Sequence, residues 1–533
     1  MGYWGGVALL LWVGCQPTAL GVDGMTATDY DAKIDLGCID CYFSDLVPEG
    51  WYPGYSDEQG RFVHDFSYAG YRYGEGQLVD QVTAVAMVDA FGADPSGVVD
   101  STAAVQQAID SLTGGGTVLF GAGTYKLAGR IAVTQSHVVL AGQGASTRLQ
   151  FTKYSDMNNK SHLQFGSKNK WGAEQLLVED GASLSTEVAV ADAAVFTPGM
   201  DVAVGWYITD AFVSDHGMTG VWEAFNGQWS PFFWRTVVSV DIAANPNTVT
   251  LDVPLRYNAR VRDAASLRVV SHAVSECGLR DMQISNASTR AQAWTTNQVS
   301  AVRFVGVKDC RIDRVSSFQP AGREGHLISG GIIVEQSKRV TISNVHLGHA
   351  LHRGDGGNGY LFEIRQSAEI LTEHSTGVAG RHNFIQNWGF GTSGCVWLQC
   401  DSREGRAYLA DWDPIGQVGY SEFHHSLAMA NLIDGGEWND GFAAKNRGTY
   451  STGAGHSATE NVFWNPGGSG TIQSKQYGYG FVIGPADSLS IEVAASVLDG
   501  AAPDDYVEVV PDGLKLAPSS LYQWQRARRL STP

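Results

Sequence analysis

The sequence predicts an all-β solenoid of stacked parallel coils that carries one inserted β domain. Two observations predict it. The 533 residues include 64 glycines, only 16 prolines and 17% charged residues, which suits a strand-and-turn chain and disfavours helical bundles and disorder. Six segments also share one alternating apolar pattern: SECGLRDMQISN, KDCRIDRVSSF, SKRVTISNVHL, SAEILTEHSTG, SGCVWLQCDS and YSEFHHSLAM. Taking Cys277, Cys310, Val340, Ile370, Cys395 and Phe423 as equivalent gives steps of 33, 30, 30, 25 and 28 residues. Irregular coils of that length stack as parallel strands about 4.8 Å apart. The alignment sets Cys277 beneath Cys310, where the two form an apolar ladder or a disulfide, the ladder being preferred.

In chain order, residues 1–22 come first, with MGYWGGVALLLWVGCQP at their start. The run Val7 to Val13 is too short to span a bilayer, and with Gly14-Cys15 it resembles a bacterial lipoprotein signal with Cys15 as the lipidated residue. That resemblance implies an exported protein, at the outer membrane or cell surface or secreted, touching membrane only through an N-terminal lipid. Residues 23–82 form an N-terminal extension, in which Cys38-Ile-Asp-Cys41 reads as a local disulfide, since no second CxxC accompanies it.

Residues 83–170 open the coils. Asp100-Ser101-Thr102 offers N-cap oxygens, Val105, Ile109 and Leu112 fall at helical spacing, and Gly114-Gly115-Gly116 stops the helix. Short apolar runs follow: TVLF, YKL, IAV and HVVLAG. The stretch from Phe91-Gly92-Ala93-Asp94 through GGGTVLFGAGTYKL resembles the opening of the pectate-lyase-like superfamily, and DFSYAGYRYGE before it resembles the lead-in of bacterial members. The resemblance implies a right-handed parallel β-helix with an N-terminal capping helix. It carries no catalytic residue across, because that superfamily holds lyases, hydrolases, epimerases and adhesins.

Residues 171–270 change character: AVFTPGMDVAVGWYI, FFWRTVVSVDI and NTVTLDVPLRY read as longer antiparallel strands, a small inserted β domain. Its centre carries Trp222, Trp229 and Trp234, with His216 and Glu223 nearby. Exposed, such rings stack on sugar faces; buried, they are the core of a small domain. Residues 271–500 return to coils bearing a candidate groove, and 501–533 end in a helix with Leu521, Trp524 and Leu530, expected to cap the last rung.

The formal charge of −19 argues against nucleic-acid binding, and it requires that cations be concentrated locally if the partner is a polyanion. They are. Three successive pre-strand loops carry Arg323, Glu324 and His326, then His349, His352, Arg353 and Asp355, then Arg381, His382 and Asn383. Later loops add Arg403, Arg406, Asp411 and Asp413, then His424, His425, Asp434, Glu437, Asp440, Lys445, Arg447 and His456. Nine of the 14 histidines lie between 326 and 456. Stacked coils align such loops into a lengthwise groove suited to an acidic polysaccharide.

Cleaving a polyuronate by β-elimination needs a cation on the carboxylate, a base for the C5 proton and an acid for the leaving oxygen. Arg381, His382, His425, Lys445 and Arg447 supply these types and are the candidate catalytic set. Arg323, His326, His352, Arg353, Asn383, His456, Trp222 and Trp229 are the candidate binding set. Hydrolysis would need paired carboxylates, which Asp411 with Asp413, or Asp434 with Glu437 or Asp440, could supply. A non-catalytic adhesin is the third alternative. No metal-ligand set is assigned and no cofactor is required; Ca²⁺ at Asp434, Glu437 and Asp440 is possible, although their spacing fits no EF-hand and a solvated turn is preferred.

Overall fold

A computed structural model describes residues 40–76, 84–354, 356–493 and 504–531, so Cys15, Cys38 and Asp355 lie outside the described residues. The chain winds as a parallel β-helix whose coils visit three parallel sheets in turn. The first sheet includes Lys338–Ser343, Leu371–Glu373, Val396–Leu398, Leu432–Asp434, Val462–Trp464 and Phe481–Ile483. The second includes His346–Gly348, Thr376–Val378, Asp401–Arg403 and Glu437–Trp438. The third includes Gly330–Glu335, Tyr360–Arg365, His382–Gln386, Ser421–Phe423, Phe442–Ala444 and Thr471–Ser474. Aromatic and branched side chains fill the bore, with the Phe362 and Phe384 rings stacked at 4.6 Å.

Cys277 and Cys310 sit on adjacent rungs, since Gly278 pairs with Arg311, and both thiols are free and buried. The column continues through Val340, Ile370 and Cys395, as the sequence alignment expects. It then reaches Asn431 and Asn461, not Phe423, which belongs to the third sheet opposite Gln386. The misassignment has a physical origin. YSEFHHS has the right alternation, but its coil is lengthened by the hairpin Arg406–Ala410 and Asp413–Val418, so the first-sheet strand comes later.

The capping helix is Thr102–Asp110, which buries Ala104, Val105, Ala108 and Ile109, and the Asp100 carboxylate accepts from Thr102 N at 3.0 Å. The inserted segment folds as a six-stranded antiparallel sheet from Lys170–Leu176 to Ser266–Ser271. Its link to the coils is ionic and buried: Glu369 accepts from Arg235 at 3.4 Å and Arg256 at 3.1 Å, all three withdrawn from solvent. Trp222 is fully buried there, its indole donating to the Ala454 carbonyl at 2.9 Å, so it is core and offers no sugar platform. Trp229 is half-buried beneath the Arg268 guanidinium and against Trp171.

The terminal helix, Leu521–Ser531, does not close the end of the stack. It lies along the first sheet, whose outward side chains Leu371, Val396, Leu398, Leu432, Val462, Trp464, Phe481 and Ile483 are apolar and pack on Leu521, Trp524, Leu46, Trp51 and Phe66. Leu530 is left exposed. The helix enters on Asp434, whose carboxylate accepts from Ser520 Oγ at 2.7 Å and from the Leu521 and Tyr522 amides. Cys41 is disulfide-bonded.

Candidate active site

The site grows from a slip in the strand pattern of the third sheet. Strict alternation would send every second residue inward, yet Leu361 and Phe362 both join the core. Asn383 and Phe384, one rung on, are likewise both fully buried. The slip turns Tyr360 and His382 to the outer surface, where Tyr360 lines a cavity and His382 meets Glu422. Gly359 makes the approach possible: its φ is +79°, and a Cβ there would lie 2.8 Å from Arg381 Cβ.

Glu422 is the centre. In Glu422-Phe423-His424 the phenyl ring points into the core and its two neighbours project outward together. Glu422 Oε1 lies 2.5 Å from His424 Nδ1 and 3.2 Å from His382 Nε2, and Oε2 accepts from Arg447 Nη1 at 2.6 Å. Burial alone would push this carboxyl up, but His382, Arg447 and His424 hold it well below the usual carboxylate range. Burial brings His424 down to about 4 against the opposing pull of Glu422. With Nδ1–H donated to Glu422, the His424 lone pair resides on Nε2, on a ring that lines the cavity. Burial likewise brings His382 down to about 3, and its Nδ1 lies 2.6 Å from the Tyr420 carbonyl.

The cavity has a volume of about 710 Å³ and is ringed by Arg365, Arg381 and Arg447, with His424 and Tyr360 in its wall. No carboxylate is among its described lining residues. A second hollow of about 620 Å³ shares Arg447 and Tyr450 with it and adds Lys445 and Lys475. His382, Glu422 and His424 also offer ligand atoms within 4.8 Å of one another, a donor set of the kind zinc takes, although the Arg447 guanidinium already balances that carboxylate.

Of the residues singled out from sequence, Arg381, His425 and Arg447 line the cavity, and Lys445 lines the adjoining hollow. His425 is ill-suited as a base, because Nε2 is 2.6 Å from the Ser451 carbonyl and Nδ1 is 3.2 Å from Ser426 Oγ. Asn383 is buried in the coil, donating to Ser402 Oγ, the Arg403 carbonyl and Asp440, so it cannot reach a ligand. His352 stacks on Trp294 at 4.2 Å, and Arg353 packs over Tyr408 of the hairpin. Arg323 bonds backbone carbonyls, His326 bonds Ser317 Oγ, and His456 packs on Tyr477; none of these lines the cavity. The carboxylates do not assemble either: Asp434 holds the terminal helix, and Asp440 holds Asn383 and the Gly405 amide. Asp411 and Asp413 lie at the hairpin's end, Asp411 beside a separate surface hollow.

Glu422 and Tyr360 are not among the residues singled out from sequence, and of His424-His425 the one assigned a role, His425, lines the cavity with both ring nitrogens engaged. A signal for the first was present, because Glu422 and His424 are two residues apart at a strand end and must share a face.

Fold and site together define a parallel β-helix with a cationic, histidine-bearing cavity on one sheet. Residues 85–204 match the family model described as rhamnogalacturonase A/epimerase, pectate lyase-like. No curated protein matches the chain. Among solved structures it is similar to the tailspike gp49 of Pseudomonas phage LKA1, at 14% identity over 81% of this chain and 82% of that one, with a TM-score of 0.37. It is also similar to the mannuronan C-5 epimerase AlgE4 A-module of Azotobacter vinelandii, at 14% identity over 81% and 97%, TM-score 0.29. A Thermotoga maritima exopolygalacturonase is similar at 10% identity over 81% and 77%, TM-score 0.28. These are likenesses of general shape.

Proposed function

We propose that the protein is an exported polysaccharide lyase that cleaves an acidic polysaccharide by β-elimination. One observation carries the proposal: His424, held from behind by Glu422, lines a cavity with three arginines and no carboxylate among its described lining residues. Such a cavity attracts a polyanion and disfavours the two-carboxylate chemistry of glycoside hydrolysis. Arg381 is placed to neutralise a uronate carboxylate, which acidifies the C5 proton, while Arg447 stays on Glu422. His424 takes that proton on Nε2 while Glu422 holds the ring and stabilises the imidazolium that forms. Export with a lipid on Cys15 accompanies this proposal, and mass spectrometry of the native N-terminus tests it.

The direct test is a panel of acidic polysaccharides, each incubated with and without chelator. A lyase releases ultraviolet-absorbing unsaturated uronate ends. New reducing ends without that absorbance would establish a hydrolase instead, and tight binding without products an adhesin.

A further inference from the structure

We infer that the C5 proton is removed and the departing O4 protonated from one side of the sugar ring, with Tyr360 as proton donor, so that the substrate is a 1,4-linked polyuronate of manno or gluco configuration. The inference rests on the elimination chemistry proposed above and adds its stereochemistry.

His424 and Tyr360 both rise from the outer surface of the third sheet, with ring centroids 6.1 Å apart. His382 completes a triangle with them, 5.3 Å from Tyr360 and 5.6 Å from His424. The Tyr360 hydroxyl has no hydrogen-bond partner among the described residues, although the ring is buried to 2% exposure and lines the cavity. Burial pushes its pKa up to about 12, so it carries its proton throughout the neutral range. His424, brought down to about 4, is unprotonated over the same range. Base and acid are therefore both neutral, in the protonation states their tasks need, at the same pH.

Two groups planted on one sheet reach the same side of a ring laid over it. In D-mannuronate and D-glucuronate residues H5 and O4 lie on the same side of the ring. In D-galacturonate and L-guluronate residues they lie on opposite sides, so an acid and base on one wall cannot reach both. In the step itself, His424 Nε2 takes the C5 proton and the C5–H electron pair becomes the C4–C5 double bond. The C4–O4 bond breaks with its pair on O4, and O4 takes the phenolic proton of Tyr360. The resulting imidazolium and phenolate neutralise each other by proton transfer, directly or through water, and no co-reactant is consumed.

The test offers the protein poly-mannuronate, poly-glucuronate, poly-galacturonate and poly-guluronate, and scores unsaturated ends. Cleavage confined to the first two is expected. Equal or faster cleavage of either of the last two overturns the stereochemical inference while leaving elimination standing. Unsaturated ends from none of them overturns both. In D₂O, Tyr360→Phe is expected to keep exchanging deuterium into C5 while chain cleavage falls about 10²- to 10⁴-fold, whereas His424→Ala loses both. Tyr360→Phe retaining cleavage, or losing exchange along with it, overturns the assignment of Tyr360 as the acid.

Discussion

Two flanks of one coil stack are built on the same backbone and put to opposite uses. The outer surface of the first sheet is apolar, from Leu371 to Ile483, and is covered by the terminal helix and the 42–71 segment. The outer surface of the third sheet carries Tyr360, Glu363, His382, Glu422 and His424 and opens on a cavity. The coil of residues 421–438 shows both behaviours: Glu422 faces the open side and Asp434 the covered side, each nearly withdrawn from water. Glu422 is surrounded by cationic and imidazole donors and is held ionised; Asp434 meets only a hydroxyl and two amides, and burial pushes it up to about 7. What an outward carboxylate becomes is decided by the partner that covers it, not by its place in the coil.

Substitutions on the two flanks should therefore separate activity from stability. The largest effect is expected for His424→Ala on the open side, a loss of about 10²- to 10⁴-fold in kcat with little change in melting temperature. Loss of melting temperature along with activity would mark His424 as a packing residue. On the covered side Trp464→Ala removes a fully buried indole, at a cost of about 3–5 kcal/mol in unfolding free energy. Turnover per folded molecule should be unchanged, as active-site titration would show.

Their pH signatures should differ in sign. His424, with its folded pKa lowered from 6.5 to about 4, binds fewer protons folded than unfolded, so its stability is lost as pH falls through that window. Asp434, raised from 3.8 to about 7, binds more protons folded, so its stability is lost as pH rises toward 7. Asp434→Asn should flatten the second slope in denaturant melts and leave the first, and Asp434→Ala should cost about 0.5–2 kcal/mol as a lost helix cap. The catalytic profile follows the open side: kcat/KM should stay level through neutrality and fall only as pH approaches 4, where His424 protonates. A fall centred near 6.5 would mean that an ordinary, solvated histidine is the base. The smallest effect is expected for Glu437→Ala, at an exposed position outside the cavity. Stability should change by no more than about 0.5 kcal/mol, with activity unaltered, with or without calcium.

The coil repeat was legible because interior side chains must recur at each rung, and Cys277, Cys310, Val340, Ile370 and Cys395 do. The repeat failed at Phe423 because the third sheet has the same apolar alternation as the first. The terminal helix was legible as a helix, but its docking place was not, since Leu521 and Trp524 fit any apolar surface and the pattern names no partner. The cationic side of the site showed in Arg381 and Arg447. Its central carboxylate did not, because Glu422 gains meaning from Arg447 twenty-five residues on and from His382 on the preceding rung. Tyr360 was hidden further by the slipped alternation in its strand.

The Asp434 clasp has a consequence for how the protein is made. The apolar flank from Leu371 to Ile483 forms as each coil is laid down, yet the helix that shields it, Leu521–Ser531, is synthesised after them. During translation the finished coils therefore have only the earlier 42–71 segment to cover this flank, and the part that Leu521, Tyr522 and Trp524 shield stays open. A chain cut short before residue 521 would keep its coils but leave that part of the apolar flank open to aggregation.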